Sequence, residues 1–274
     1  ERIVSDLSGL VCVSWEYNRP DGSRDLLVNV SLDYGENWGS EPVQINPANG
    51  NISFSSQIAL DEGSYVYVAW AEFQDIPSSM ASSWIGRSVD GGLSFEPPQI
   101  LLEWSPTEGS TPMAVRASGD GAVAVAELTS SDGRVQIRAW RSLDLGASWL
   151  GPTIVNPAME DLPIYSCDLA WGCGGLLFVT WTGKRNLSTD IYLARSLDYG
   201  ATFEPEVRLD TATPAGAINS EDAHITADPL GNVGVAWNEG GSPRFNSSHD
   251  GGATWMGDVS LNANRPAVQL QMAA

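Results

Sequence analysis

The chain contains 274 residues, of which 42% are hydrophobic and 18% are charged. Acidic residues outnumber basic ones by 34 to 14, so the formal net charge is -20, and Lys184 is the only lysine. This charge argues against nucleic acid and anionic membrane surfaces as partners, because both would repel the protein. No apolar run approaches the roughly 20 residues that span a bilayer. We therefore expect a soluble chain without membrane insertion, and we expect Glu1 to be a mature or excised start.

One phrase of eight residues, Ser-x-Asp-x-Gly-x-x-(Trp or Phe), recurs five times along the chain. The copies read SLDYGENW, SVDGGLSF, SLDLGASW, SLDYGATF and SHDGGATW. Their aspartates are Asp33, Asp90, Asp144, Asp198 and Asp250. The spacings between these aspartates are 57, 54, 54 and 52 residues. An even period of this length is typical of arrays and propellers, and it predicts a single domain over residues 1–274.

The fourth period shows the predicted elements most clearly. It contains four short runs rich in β-branched and aromatic residues, separated by Gly, Asn, Asp and Pro, and no segment has a helical period. Each period therefore predicts a four-stranded antiparallel meander, in an all-β chain. In chain order, the predicted blades cover residues 1–50, 51–108, 109–161, 162–218 and 219–262. Residues 263–274 are predicted to be a closing strand or the start of a sixth blade.

The repeated phrase falls between the third and fourth predicted strands of each blade, where a tight hairpin must close. The aspartate can accept hydrogen bonds from backbone N–H groups two or three residues further on, and glycine supplies a positive φ. The terminal Trp or Phe is expected to anchor the turn in the core. We therefore expect a structural role for the five aspartates.

On this phrase the chain resembles the Asp-box (BNR-repeat) β-propellers, the superfamily that includes sialidases. The five copies extend the resemblance over essentially the whole chain. It implies a β-propeller of four-stranded antiparallel blades, of which five are evident, whereas the sialidases have six. It also implies that a ligand binds around the mouth of a central tunnel, at the face opposite the repeated phrases.

Two sets of aligned residues mark the strands that are predicted to build the core. The second strands end at Trp15, Trp70, Glu127, Trp181 and Trp237, after near-continuous apolar runs. The first strands align on Ile3, Ile58, Val115, Leu169 and Ile225. The tryptophans are predicted to wedge between blades, with stacking on a sugar ring as the alternative.

Candidate ligand-binding residues begin the first strands or end the second strands, where the loops are longest. Those on first strands are Arg2, Gln57, Asp168 and His224, with Gln269 as a possible continuation. Those at the ends of second strands or just beyond are Glu16, Glu72, Glu127, Glu239 and Arg185. Glu127 is either functional or a solvated rim residue, because it replaces a tryptophan. His224 beside Asp222 is either a proton-transfer or metal-binding group or a structural histidine.

A sialidase-like reaction would require several arginines around the substrate carboxylate, a tyrosine nucleophile and an acidic acid/base. The candidates are Arg2, Arg116, Arg185, Arg265, Tyr165, Asp168 and Glu127. The Arg-Ile-Pro phrase expected for the first arginine is absent, and Arg2-Ile3-Val4 is the nearest string. Glu127 with Asp168 is a second possible pairing, for another glycoside hydrolase.

We therefore predict a secreted or cell-surface propeller that binds a glycan or a protein at its loop-rich face, without catalysis and without a cofactor or metal. The alternative is a sialidase-like glycoside hydrolase. The sequence predicts no particular oligomeric state. Cys12, Cys167 and Cys173 lack metal-ligand spacing, and an extended segment would hold the last two about 20 Å apart, too far for a disulfide.

Overall fold

The computed structural model describes residues 1–73, 81–104, 108–131, 134–156, 163–185 and 187–261. This part of the chain contains twenty β-strands and no helix, and hence no helix that could cross a membrane. The first eight strands are β1 (Arg2–Ser5), β2 (Val11–Asn18), β3 (Arg24–Ser31), β4 (Val43–Gln44), β5 (Ile52–Leu60), β6 (Val66–Phe73), β7 (Ala81–Ser88) and β8 (Gln99–Trp104).

The remaining strands continue in groups of four. The third group is β9 (Glu108–Ala117), β10 (Val123–Ser131), β11 (Arg134–Ser142) and β12 (Leu150–Ile154). The fourth group is β13 (Ile164–Trp171), β14 (Leu177–Lys184), β15 (Thr189–Ser196) and β16 (Val207–Arg208). The fifth group is β17 (Ser220–Ala227), β18 (Val233–Glu239), β19 (Ser242–Ser248) and β20 (Val259–Ser260).

Within each group the strands pair in sequence order, as a meander. The third, fourth and fifth groups are separate four-stranded sheets, and the first two are joined by one parallel pair, Arg24 with Ile52. The pairs β13–β14, β14–β15 and β15–β16 are all antiparallel, as are the corresponding pairs of the fifth group. The predicted four-stranded antiparallel blade is confirmed.

The chain divides into two compact units. The first unit contains residues 1–132 and 140–150, and the second contains residues 133–139 and 151–274, so the division falls within β11. The hydrophobic core of the first unit includes Val68 and Trp70, and that of the second unit includes Ile191 and Trp237. The predicted single domain and the exact blade limits stay predictions, and residues 263–274 lie outside the described residues.

The predicted alignment of first and second strands is confirmed by the pairing register. The pairs are Ile3 with Val13, Ile58 with Val68, Val115 with Val125, Leu169 with Val179, and Ile225 with Val235. Four of the first-strand residues are buried, as expected of core positions. The expectation is wrong for Ile3, which is 67% exposed, because no neighbouring element within the described residues covers this side of the four-residue strand β1.

The aligned tryptophans of β6, β14 and β18 are almost completely inaccessible to solvent. Each strand continues two or three residues beyond its tryptophan, so the predicted strand ends are wrong. Trp70, Trp181 and Trp237 are among the largest fully buried side chains. A ring without accessible surface cannot stack on a ligand, so the packing role is confirmed for these three residues. Trp15 is only half-buried.

A β-bulge interrupts the first strands of the second to fifth blades, close to the residues predicted to form the site. The pairing shifts between Phe54 and Gln57, between Ala126 and Glu127 of the opposite strand, between Ile164 and Ser166, and between Glu221 and His224. Ser55 and Asp222 have left-handed backbones, with φ of 56° and 55°. A bulge changes the direction in which nearby side chains point and therefore positions Gln57, Asp168 and His224.

Candidate functional site

The repeated phrase forms the same closed turn in all five blades, and we call it the repeat turn. In the first copy, the Ser31 hydroxyl donates to Asp33 Oδ1 at 2.7 Å and accepts the Gly35 N–H at 2.9 Å. Asp33 Oδ1 also accepts the N–H of Asn37 at 2.8 Å. The principal backbone donor therefore lies four residues beyond the aspartate, and the N–H of Glu36, three residues beyond it as expected, makes a smaller contribution.

The residue four positions after the aspartate also contributes its side chain, which the sequence pattern did not reveal. Asn37 Nδ2 donates to Asp33 Oδ2 at 2.6 Å, and Thr254 Oγ1 donates to Asp250 Oδ2 at the same distance. The equivalent donors in the other copies are Ser94, Ser148 and Thr202. These bonds occupy both carboxylate oxygens of each aspartate, which fits the predicted structural role.

Backbone geometry explains the glycine of the repeat turn. Gly35 has a φ of 89°, and the preceding Tyr34 is also left-handed at 62°. The aromatic anchor is more variable than expected. Trp149 and Trp255 pack partly buried against the core. Trp38 is 42% exposed, and its Nε1 donates to the Gly35 carbonyl, so the expectation of a core anchor is wrong for the first copy.

In four of the five blades, the repeat turn is hydrogen-bonded to the turn between the first and second strands. In the first blade, the Tyr34 N–H donates to the Gly9 carbonyl at 2.8 Å. Equivalent bonds join Leu145 to Gly121, Tyr199 to Gly175 and Gly251 to Gly231. Both turns thus lie at one end of the blade, which we call the turn end. The other connections lie at the opposite, loop end, as the meander predicts.

At the loop end of the second blade, Glu72 is buried among neutral donors. The side-chain amides of Asn49 and Asn51 each donate to Glu72 Oε1 at 2.7 Å, and the Ser53 hydroxyl lies 3.4 Å from Oε2. A buried carboxylate needs such donors to offset its lost hydration. Glu72 therefore fastens the β4–β5 connection to β6.

Glu127 replaces a tryptophan and is fully buried, at 0% exposure. Its Oε2 accepts hydrogen bonds from the Ser110 hydroxyl at 3.2 Å and from Trp140 Nε1 at 3.0 Å. The expectation that Glu127 could be a solvated rim residue is wrong, because β9 and β11 cover the side chain. Its predicted role in ligand binding or catalysis stays a prediction.

Four further candidates in the first unit lie closer to solvent. Arg2 Nε donates to Gln57 Oε1 at 3.3 Å, so equivalent positions of the first and second blades are in contact. Glu16 forms an ion pair of 3.0 Å with Arg24. Arg116, the other candidate arginine of this unit, donates to the Val115 carbonyl.

In the second unit, Asp168 and His224 come together from adjacent blades. Asp168 is nearly buried on β13, and its Oδ2 lies 3.4 Å from His224 Nδ1 on β17. The His224 side chain is 38% exposed, so a ligand can reach the pair. Tyr165 lies three residues before Asp168, within the bulge of β13, and is 57% exposed.

Arg185 is engaged within the second unit. It forms an ion pair with Glu206, and its guanidinium carbon lies 4.1 Å from the centroid of the Tyr192 ring. The side chain is one-quarter exposed. Its charge is thus balanced by a carboxylate and its planar face is covered by an aromatic ring.

A buried ion-pair network near Arg185 was not predicted from the sequence. Arg208 lies 3.2 Å from Asp190 and 2.8 Å from Asp210, and both aspartates are fully buried. Burial raises the pKa of Asp210 to about 6, although a hydrogen bond from Ser220 and the charge of Arg208 oppose the increase. The Gly216 N–H donates to Asp190 at 3.0 Å, so the network holds the connection between β16 and β17.

Glu239 belongs to a second network at the same connection. Arg244 Nε donates to Glu239 Oε2 at 2.6 Å, and the Thr213 hydroxyl donates to Glu239 Oε1 at 2.9 Å. Asp258 lies 3.7 Å from Arg244 and accepts the Ala212 N–H at 2.6 Å. The predicted ligand-binding residue Glu239 therefore has an internal structural partner.

The candidate arginines of a sialidase-like site are distributed over the chain. Arg2 and Arg116 belong to the first unit and Arg185 to the second, whereas Arg265 and Gln269 lie outside the described residues. The proposed carboxylate pair is also divided, with Glu127 in the first unit and Asp168 in the second. No group of three metal-ligating side chains occurs within the described ranges, and the three cysteines are free.

The successive groups of four antiparallel strands define a β-propeller of four-stranded blades. The fold is that of the sialidase-like propellers. The chain is similar to the Hadza microbial sialidase Hz136, with 17% identity, a TM-score of 0.63 and coverage of 95% of this chain and 57% of that one. It is also similar to the α-L-arabinofuranosidase of Fusarium graminearum, with 12% identity, a TM-score of 0.60 and coverage of 96% and 80%. A protein of unknown function from Dyadobacter fermentans has 14% identity, a TM-score of 0.65 and coverage of 95% and 81%.

Sequence comparison adds little to this structural similarity. No protein-family model matches the chain. An alignment of 200 residues is 27% identical to the cytosol aminopeptidase of Sus scrofa, and it covers 62% of this chain but only 35% of that enzyme. The chain thus spans about a third of the aminopeptidase and little more than half of the sialidase.

Proposed function

We propose that this chain is a glycan-binding β-propeller module that acts outside the cell or at its surface, without catalysis. The observation that carries this proposal is the contact between Asp168 and His224, with Tyr165 exposed on the same strand as Asp168. The three residues combine an accessible aromatic ring with two polar groups, and they belong to one compact unit.

The chemistry of these side chains suits a sugar ring. An exposed aromatic face packs against the apolar face of a pyranose, and a few convergent polar groups orient its hydroxyls. The Asp168 carboxylate can accept hydroxyl hydrogen bonds, and the imidazole of His224 can donate or accept according to its tautomer. The acidic composition, with a single lysine, favours a neutral glycan over an anionic one.

The state of Arg185 supports binding rather than sialidase chemistry. Recognition of a sialic acid carboxylate would require guanidinium groups with free bidentate faces. Arg185 instead pairs with Glu206 and stacks on Tyr192. A sialidase-like glycoside hydrolase remains the second candidate, because the similar structures include a sialidase and an arabinofuranosidase.

A glycan array with the purified chain tests the proposed function. We expect neutral glycans to be retained and the substitution Tyr165→Ala to abolish the signal. Tyr34→Ala is the matched control, because Tyr34 is an exposed tyrosine at the turn end of another blade. Equal loss of signal in both variants would contradict the assignment of the site, and capture of proteins but no glycans would favour protein docking.

The second candidate requires an activity measurement. Fluorogenic sialosides and neutral glycosides should show no turnover above the uncatalysed rate. If a substrate is hydrolysed, and Asp168→Asn or Tyr165→Phe abolishes the reaction, the chain is a glycoside hydrolase and the non-catalytic proposal is wrong.

A further inference from the structure

A groove lies at the turn end of the first unit, whereas the residues proposed to bind a glycan belong to the second unit. Its volume is 460 Å³, and it lies between the β5–β6 turn, the β9–β10 turn and the repeat turn that follows β11. Tyr65, Leu143 and Leu145 give it an apolar surface. Leu143 is 52% exposed, although it belongs to a turn closed by internal hydrogen bonds.

The walls of this groove are acidic. Asp61, Glu62, Asp120 and Asp144 all line it. Hydrogen bonds from the Ser148 side chain and N–H lower the pKa of Asp144 to about 2, so this residue carries a negative charge at neutral pH.

Arg87 lies beside the groove, where it contacts Tyr65 and is paired with a carboxylate. The guanidinium carbon of Arg87 lies 5.5 Å from the centroid of the Tyr65 ring. Arg87 also pairs with Glu96 at 3.2 Å. Among the described residues that line the groove, four carry carboxylates and none is basic.

We infer that this groove docks a basic polypeptide segment, in which an apolar side chain contacts Leu143 and neighbouring arginines or lysines meet the acidic walls. Charge complementarity selects this occupant. A second copy of the chain would bring together two surfaces of the same sign, because each carries a net charge of -20. A basic segment gains both apolar contact and favourable electrostatics.

A matched surface for comparison exists in the fourth blade. Leu197 occupies the same position of the repeat turn as Leu143 and is 54% exposed. The neighbouring turn over residues 172–176 reads GCGGL and contains no carboxylate. Leu197 therefore presents the apolar part of the surface beside the repeat-turn aspartate Asp198, but without carboxylates in the neighbouring turn.

The test measures by fluorescence anisotropy how tightly the full chain binds a short fluorescent peptide of alternating arginine and leucine. We expect Leu143→Asp and Glu62→Lys each to weaken binding about tenfold, as loss of a central contact does. Leu197→Asp should leave the affinity within about twofold of the wild type, as expected for a position outside the interface. Thermal melting establishes that each variant is folded, and Leu143→Ser replaces Leu143→Asp if the latter unfolds.

Three outcomes would overturn the inference. The first is that the wild type fails to bind the peptide. The second is equal weakening by Leu143→Asp and Leu197→Asp, which would show that the apolar contact is not specific to the groove, or equal affinity for a peptide of arginine and glycine, which would indicate diffuse charge attraction. The third is a dimer in sedimentation experiments that Leu143→Asp dissociates, since the groove would then be occupied by a second copy.

Discussion

Trp140 donates a hydrogen bond of 3.0 Å from its indole nitrogen to the buried carboxylate of Glu127. Relative to the other blades, the large and the small side chain have changed places: the second strand carries the smaller Glu127 and the third strand carries the larger Trp140. In the other blades, the second strand carries a tryptophan and the third strand carries a small or medium residue at the position of Trp140. Those residues are Asn29, Gly86, Ala194 and Asn246. A Cβ on Gly86 would lie only 3.3 Å from the Trp70 ring, so this space holds one indole.

This exchange predicts the stability of variants in the third blade. Trp140→Phe keeps much of the ring but removes the indole donor, and we expect it to reduce the free energy of unfolding by about 2 kcal/mol, because a buried carboxylate loses a partner. Denaturant unfolding measures the loss. Trp84→Phe is the control, since the indole nitrogen of Trp84 donates to a serine hydroxyl rather than to a carboxylate. Equal losses in the two variants would contradict the importance of the Glu127 contact.

The repeat turns predict a loss of stability in acid. The side chain and N–H of Asn37, Ser148 and Thr254 hold the pKa values of Asp33, Asp144 and Asp250 below the ordinary value of 3.8. A carboxyl group with a lowered pKa in the folded state stabilises the fold above the unfolded pKa, and this contribution is lost as the pH falls.

For Asp144 the window runs from pH 3.8 down to about 2. Asp144→Asn should therefore flatten the decrease of the unfolding free energy between these pH values. Urea titrations at pH 5, 4, 3 and 2 measure the slope. An unchanged slope in the variant would show that this turn does not contribute to acid sensitivity.

The raised pKa of Asp210 predicts that the unfolding free energy decreases as the pH rises, which is opposite to the effect of the repeat turns. Burial raises its pKa from 3.8 to about 6, so between these values the folded state holds a proton that the unfolded state has released. This contribution to stability is therefore present at low pH and decreases as the pH rises through the window. Asp210→Asn cannot titrate and should lose this component. If wild type and variant show the same pH dependence from pH 4 to pH 7, the raised pKa is wrong.

The side-chain donor of the repeat turn gives a further prediction. Thr254 Oγ1 lies 2.6 Å from Asp250 Oδ2, and this hydrogen bond to an ionised carboxylate stabilises the turn. Thr254→Val should lower the unfolding free energy at pH 7 and lower it less in acid, when Asp250 is protonated. A loss that does not depend on pH would indicate a packing effect of the methyl group.

The sequence predicted the strands well because the repeated phrase fixes the register at regular positions. Ile58 pairs with Val68, and Leu169 with Val179, as the alignment requires. Ile3 was predicted incorrectly because the repeat pattern says which side of a strand is apolar, but it does not say whether a neighbouring element covers that side.

The features that the sequence did not predict depend on contacts between distant residues or on interchangeable side chains. Asn37 and Thr254 differ chemically, so their position appeared variable, although both donate to an aspartate. Arg208 finds its partner Asp190 eighteen positions earlier in the chain, which no local motif indicates. The Glu127 substitution becomes intelligible only when the third strands are aligned as well, because its compensation is Trp140.

Isothermal titration calorimetry with the neutral glycan that gives the strongest array signal tests the central claim most directly. The account predicts that His224→Ala weakens binding about tenfold, whereas His249→Ala leaves it unchanged, because His249 is an exposed histidine of a repeat turn that bonds to Asn232 at 2.8 Å. Equal dissociation constants for the wild type and both variants would contradict a glycan site at Asp168 and His224.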